Sequence, residues 1–178
     1  MSVNIGIRDK HYAISSFSDW FLPSIDELAA MYTNLHLEGV GGFNEGNYWS
    51  STEISAGIAW GFNFALGSAA NNYMKTTDHA DARACRSFTT TDVYELLDTG
   101  PSGGLIFYIT NNGGGSFTYL ECSPAVVSTV VHYSNVEALI GVTAQGTAVG
   151  TGQANTTAII SQALHTASAA KDCNDLIT

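Results

Sequence analysis

Short aromatic runs separated by polar turn residues fill positions 43–88, and they constrain the fold more than any other feature of the sequence. Four runs follow one another, at residues 48–53, 59–64, 71–75 and 82–88. Aromatic residues are enriched in strands, and the Gly, Ser and Asn residues between the runs are typical of turns. The pattern predicts an antiparallel meander of short strands.

A helix start precedes these runs. Ser24 follows Pro23 and is followed three residues later by Glu27, which is the spacing of a capping box. Apolar residues then continue at helical spacing, so we expect a helix over about residues 25–35. Glycines at 39, 41 and 42 end it.

The segment Asp98–Gly104 is the strongest turn signal and divides the chain in two. Residues 105–109 read as a buried strand, 111–115 as a hairpin loop and 117–122 as the returning strand. Residues 123–154 look mostly irregular. Asn155 is then predicted to cap a second helix whose apolar face extends to Leu176. One or two short strands are predicted within residues 3–14.

Composition narrows the possible functions. Charged residues make up 12% of the chain, about half the usual share. The formal charge of −10 would repel phosphate backbones, which argues against nucleic-acid binding. No stretch approaches the roughly 20 apolar residues of a membrane span. Met1–Lys10 lacks the apolar core of a signal peptide, so we expect synthesis and folding in a cytoplasm.

Several segments resemble one known family. SDWFLPSIDELAAMYTNL, YWSSTE, AWGFNFALG and ARACRSF, within residues 18–88, are similar to the bacterial and phage family of C-type-lectin-like domains that carry DW-LP-x-EL, YWSS and AW…F motifs. GPSGGLIFY at 100–108, GTAVGTGQANT at 146–156 and the helix ending AAKDC at 169–173 are similar to other parts of that family.

The order of these parts is reversed relative to the family, in which the GGxxFY hairpin and the AAKxC helix precede the DW-LP motif. We therefore interpret residues 1–178 as a single domain, with 1–98 matching the family's C-terminal half and 99–178 its N-terminal half. A circular permutation explains this order if the family's termini lie close together. A domain swap between neighbouring protomers is the other explanation.

The resemblance implies an α+β, C-type-lectin-like fold in which two helices pack on twisted antiparallel sheets. In that fold a cysteine of the first helix bonds one of the final strand, and Cys173 and Cys85 match those positions. Cys122 would then be the unpaired thiol. Three reduced, buried cysteines are the alternative for a chain made in a cytoplasm.

Catalytic and metal signals in the sequence are weak. Residues 146–152 are glycine-rich but lack the Lys-Ser/Thr that a phosphate-binding loop needs. Asp78, His79 and Asp81 are weak metal-ligand candidates, and a solvated acidic turn is the favoured interpretation because hard cations require about six or more oxygen ligands. The sugar-binding triplets Glu-Pro-Asn and Gln-Pro-Asp are absent. No histidine pairs with a nucleophile, so no catalytic residue and no cofactor are predicted.

The tryptophans at 20, 49 and 60 belong to the family motifs and are expected in the core. Residues between and beyond them are the predicted contact surface, because amide and aromatic side chains bind sugars and peptide groups well. These candidates are Asn47, Asn63, Asn71, Asn72 and Tyr73.

The leading functional hypothesis is a non-catalytic structural or adhesion protein on a bacteriophage virion surface, in a tail or fibre tip or a head decoration. Its expected partners are other virion subunits or a host-surface glycan or protein, and a homo-oligomer is expected. The alternative is a bacterial cell-surface module that binds carbohydrate or protein in an extracellular location. An oxidase of the formylglycine-generating type, which shares the fold, is the least favoured.

Overall fold

The computed structural model describes residues 16–178, which form a mixed α+β architecture with two sheets and short helices. The predicted strands at 3–14 lie outside the described residues. In chain order the elements are α1 (Ile25–Met31), a π-helical turn (Tyr32–His36), β1 (Asn47–Glu53), β2 (Ile58–Asn63), β3 (Ser68–Met74), β4 (Ala80–Ala82), β5 (Cys85–Thr90), β6 (Leu105–Gly113), β7 (Ser116–Cys122), β8 (Ser128–Val131), a 3-10 turn (Val142–Ala144), α2 (Gly152–Ile160) and α3 (Ala169–Asn174).

The first sheet has the strand order β3-β2-β1-β4-β8 and the second has the order β5-β7-β6. Strands β1, β2 and β3 pair antiparallel in sequence, which confirms the meander for these three. The prediction is wrong for the last run, 82–88, which is divided between β4 and β5. Strand β4 pairs parallel to β1 through Tyr48 and Asp81, and β5 leaves for the other sheet. The predicted hairpin is confirmed, with β6 and β7 joined by Gly114 and Gly115, both at positive φ.

A pronounced bulge in β1 connects the first sheet to the helical layer. Trp49 lies opposite Gly61 and Glu53 lies opposite Ala59, so three residues of β1 oppose one residue of β2. Within the bulge, the Ser51 amide donates to the Pro23 carbonyl at 2.7 Å. The YWSSTE motif therefore connects β1 to the segment immediately before α1.

The capping box at α1 is confirmed. The Glu27 amide donates to the Ser24 hydroxyl at 3.3 Å, and the Ser24 amide donates to the Glu27 carboxylate at 2.7 Å. Glu27 is fully buried, and its second oxygen accepts from the Gly150 amide at 2.8 Å. The cap thus also fastens the glycine-rich loop, and the predicted helix ends in the π-helical turn.

The prediction of one capped helix after residue 155 is wrong. Helix α2 begins at Gly152 with Thr151 before it, and Asn155 lies inside the helix. The buried Asn155 amide instead bonds both the N–H and the carbonyl of Gly146, at 3.2 and 2.7 Å. A separate helix, α3, begins after Ser168, whose hydroxyl accepts from the Lys171 amide. Three short α-helices therefore take the place of the two expected from the resemblance.

Two apolar clusters form the core of residues 16–178. One contains residues of the first sheet, α2 and α3, and the other contains residues of α1 and both sheets. Representative members of the first are Trp20, Trp49, Tyr133, Ile159 and Cys173. Representative members of the second are Phe21, Leu28, Tyr48, Phe107 and Cys122.

Candidate functional site

Asn47 and Asn63, two of the predicted contact residues, lie directly opposite each other on β1 and β2. The Asn63 side-chain N–H donates to the Asn47 side-chain oxygen at 2.7 Å. The Asn63 oxygen also accepts from the Leu66 amide at 2.8 Å, which closes the turn into β3. Both amides are therefore engaged in holding the end of the meander.

Asn71 and Asn72 occupy a bulge on β3. Ala70 pairs with Gly61 and Tyr73 pairs with Ala59, so the two asparagines together oppose the single residue Trp60. Strand β3 is at the edge of its sheet, and both asparagines are exposed. Neither side chain hydrogen-bonds another residue of the described part of the chain. Their amide groups are free to bind a partner.

Tyr73, next in the sequence, is half-buried. Its ring packs edge-on against Trp49 with 5.5 Å between centroids. It also covers Gly61, where a Cβ would come within 3.1 Å of the ring. Burial, with a smaller contribution from the Asp78 charge, raises the pKa of the phenol. Tyr73 therefore supports the sheet beneath the Asn71–Asn72 bulge.

The five predicted contact residues thus fall into two groups on the first sheet. Asn63 lies three residues along β2 from Trp60, the residue opposite the bulge, which is a separation of roughly 10 Å along the strand. Trp20 and Trp49 are buried as expected, whereas Trp60 is half-buried. Of the five candidates, Asn71 and Asn72 are exposed and the other three are half-buried.

Asp78 and Asp81, two of the weak metal-ligand candidates, accept hydrogen bonds from different parts of the chain. One Asp78 oxygen accepts from the Met74 amide at 2.7 Å. One Asp81 oxygen accepts from the Asn44 side chain at 2.8 Å. In residues 16–178, no group of three or more His, Cys, Asp or Glu side chains is placed to hold a metal ion.

The three cysteines are buried free thiols. Cys85 lies opposite Cys122 in the β5–β7 ladder. Because Cys85 exchanges its backbone hydrogen bonds with Phe21, Cys85 and Cys122 are a non-hydrogen-bonded pair, the closer of the two kinds, with Cβ atoms about 4.5 Å apart. The pKa of Cys85 is raised well above its ordinary value by burial first, then by the charges of Glu27, Cys173 and Cys122. The predicted bond between Cys85 and Cys173 stays a prediction.

A buried ion pair was not predicted from the sequence. Lys75 Nζ lies 2.5 Å from Glu53 Oε1, and both side chains are fully buried. The second Glu53 oxygen accepts from the amides of Ile140 and Gly141, at 3.1 and 3.0 Å. The pair therefore anchors the loop that leads to α2. In the sequence, Glu53 ends the predicted strand run 48–53, and no spacing pattern indicates that Lys75 is its partner.

A second charged network joins the two halves of the chain. Arg86 binds Asp19 with two hydrogen bonds, at 2.7 and 3.0 Å, and lies 3.3 Å from Glu121. Glu121 is fully buried and accepts from the amides of Ser102 and Gly104, at 3.1 and 2.8 Å. The turn at 98–104, predicted as the dividing point, is thus folded around Glu121.

Two concave surfaces stand out. One cavity, of about 310 Å³, lies between the β4–β8 edge and the start of α3, and its lining includes His79, His132, Asn135, Ser168 and Asp172. A groove of about 600 Å³ runs along α2 beside the glycine-rich loop, lined mainly by small residues such as Gly146, Thr151, Ala154 and Ala158.

Comparison of the chain with protein-family models, with curated proteins and with solved structures found no match.

Proposed function

We propose that the protein is a non-catalytic binding component of a bacteriophage virion surface, in a tail or fibre tip or a head decoration, and that it has a circularly permuted C-type-lectin-like fold. Its partners are other virion subunits or a host-surface glycan or protein. The exposed Asn71–Asn72 bulge at the edge of the first sheet carries the proposal, because it presents free amide groups on a rigid support.

The bulge is suited to selective binding. A regular exposed edge strand would pair with strands of any other chain, and a bulge disrupts that pairing. Recognition at this edge then depends on the side-chain amides, which donate and accept hydrogen bonds as hydroxyl and peptide groups require. The packing of Tyr73 against Trp49 restrains β3 next to the bulge, so little conformational entropy is lost when a partner binds.

Contact between the ends of the described chain supports the permuted fold. Phe17 and Thr178 hydrogen-bond through their backbones within one chain, as a permutation requires. The network of Arg86, Asp19 and Glu121 also joins segments that belong to opposite halves of the family order. A swapped dimer would need the same contacts between two chains.

Paired binding measurements test the proposal. Wild type, an N71A/N72A double variant and the control N174A, which changes an exposed asparagine at the end of α3, are applied to a glycan array and to candidate host cells. Two amide hydrogen bonds are worth about 1–3 kcal/mol, so we expect the double variant to bind about tenfold more weakly. N174A should bind as wild type does. Equal binding by all three would reject the bulge as the contact surface.

Oligomeric state separates the virion hypothesis from its alternative. Size-exclusion chromatography with light scattering should show a stable trimer or larger assembly for a virion component. A monomer that binds glycans would favour a cell-surface module and contradict the virion assignment.

A further inference from the structure

Two histidines face each other at the edge of the first sheet. Ala80 of β4 and Val131 of β8 are antiparallel partners, which places His79 and His132 opposite each other one position further along. Their ring centroids are 4.1 Å apart, with 42° between the ring planes. Both side chains are exposed, and both line the cavity of about 310 Å³.

The hydrogen bonding of His132 prepares one of its nitrogens as a ligand. Its Nδ1 lies 3.1 Å from the carbonyl oxygen of Asp78. A carbonyl oxygen can only accept, so Nδ1 carries the hydrogen and Nε2 keeps the lone pair in the neutral ring. Histidines that bind metals commonly hold their other N–H on a carbonyl or carboxylate in this way.

The surroundings leave room for a metal and its remaining ligands. The cavity wall beyond the two rings carries the polar side chains of Asn135, Ser168 and Asp172. The carboxylates of Asp78 and Asp81 are directed to other hydrogen bonds, so the two imidazoles are the ligands that the backbone brings together. Water or a bound molecule would fill the remaining positions, which open towards the cavity.

We propose that His79 and His132 form a two-histidine site for a divalent transition metal, namely Zn²⁺, Ni²⁺ or Cu²⁺. Two imidazole nitrogens bound at about 2.0–2.1 Å in a tetrahedral shell lie roughly 3.3 Å apart. A distance of 4.1 Å between the ring centroids permits this separation of the nitrogens. Imidazole suits these metals, whereas Ca²⁺ and Mg²⁺ require oxygen ligands. The site is independent of the Asn71–Asn72 surface.

Isothermal titration tests the site, using the full chain without a polyhistidine tag. Wild type should bind one Zn²⁺ saturably, bind Cu²⁺ more tightly, and show no heat with Ca²⁺. H79Q and H132Q should each weaken Zn²⁺ binding at least about tenfold, because outer hydrogen bonds to metal-binding histidines are alone worth about 10- to 100-fold. Both histidines are exposed, so circular dichroism should show that the variants remain folded.

Two matched controls complete the design. H36Q changes a histidine that packs against Tyr32 and Phe64 on the π-helical turn, and H11Q changes one outside the described residues. Both should bind Zn²⁺ as wild type does. Electron paramagnetic resonance of the Cu²⁺ complex should show coupling to two nitrogens. Absence of saturable binding, or unchanged affinity in H79Q and H132Q, would overturn the proposal.

Discussion

Phe17 and Thr178 exchange two backbone hydrogen bonds, at 2.9 and 3.2 Å. The buried Trp20 indole adds a third, donating to the Thr178 hydroxyl at 3.3 Å. Phe17 and Thr178 are 161 positions apart in the sequence and lie side by side in the fold. We call this contact between the segment after α3 and the segment before α1 the clasp.

Removal of this clasp should destabilise the protein. Deletion of Ile177 and Thr178 eliminates all three hydrogen bonds to Thr178, each worth about 0.5–1.5 kcal/mol. We expect the free energy of unfolding, measured with urea, to fall by about 1.5–4.5 kcal/mol. I177A is the control, because the Ile177 side chain is exposed and its truncation should change little. Equal stability of the deletion variant and wild type would show that the clasp is not formed in solution.

The buried pair of Lys75 and Glu53 allows a sharper comparison. K75M leaves a buried carboxylate without its cation, and breaking a buried pair from one side costs about 3–5 kcal/mol. K171M breaks the exposed pair of Lys171 and Asp175, for which about 0.3–0.5 kcal/mol is expected. Urea unfolding of both variants measures the difference. Similar losses in the two variants would contradict the burial of Lys75.

Features of this fold that neighbouring residues determine are predictable from the sequence, whereas features that depend on long-range contacts are not. The capping box of Ser24 and Glu27 and the Gly114–Gly115 hairpin turn are set by neighbouring residues, so spacing alone predicts them. The parallel pairing of Tyr48 with Asp81 joins separated segments and leaves no local pattern. Asn155 suited a helix cap by residue type, but its tertiary contact with Gly146 decided its position.

The exposure of the candidate contact residues is only partly predictable from the sequence. Position between and beyond the aromatic motifs predicts Asn71 and Asn72 as contact residues; both are exposed, and their role in binding stays a prediction. Tyr73 is also a predicted contact residue, but its ring packs against Trp49 because the bulge shifts the alternation of side chains along the edge strand. The facing of His79 and His132 depends on the register of β4 and β8, which no sequence pattern indicated.

Gly104 is required by a close backbone approach. A Cβ at this position would lie 1.7 Å from the Cys122 carbonyl oxygen, so the backbone must move to accept alanine. G104A should lower the free energy of unfolding by at least about 1–3 kcal/mol. G46A is the matched control, because a Cβ there meets nothing within 4 Å. Thermal unfolding compares the two, and a neutral G104A would show that the turn around Glu121 adapts easily.

Glu27 should make stability depend on pH. Burial raises the pKa of its carboxyl above the ordinary value, although hydrogen bonds from Ser24, Gly150 and Gly152 act in the opposite direction. The folded state therefore holds this proton more tightly than the unfolded state. Its contribution to stability is largest below the unfolded pKa and is lost as pH rises through the folded pKa.

The variant E27Q isolates this contribution. Other carboxyl groups titrate equally in wild type and variant, so the difference in their free energies of unfolding reports Glu27. We expect wild type to lose stability relative to E27Q as pH rises above the ordinary carboxyl pKa of 4.5. Urea unfolding at several pH values measures the difference, and a trend of the opposite sign would contradict the raised pKa.

The three cysteines should be unreactive in the folded protein. Burial raises the pKa values of Cys85, Cys122 and Cys173, and only the thiolate is a good nucleophile. A colourimetric thiol reagent should therefore label the reduced protein slowly, and label all three cysteines rapidly in denaturant. Rapid labelling of the folded protein would show that the thiols are accessible.

Refolding under oxidising conditions tests which two cysteines pair. Cys85 and Cys122 lie opposite each other with Cβ atoms about 4.5 Å apart, at the upper end of the disulfide range of roughly 3.5–4.5 Å. The family resemblance implies a different pairing, and on that ground we expect Cys85 to bond Cys173 of α3. Peptide mapping without reductant should find this link in wild type and in C122S, and lose it in C173S. A Cys85–Cys122 link in wild type would contradict this pairing. It would show that these two strand residues approach closely enough to form the disulfide.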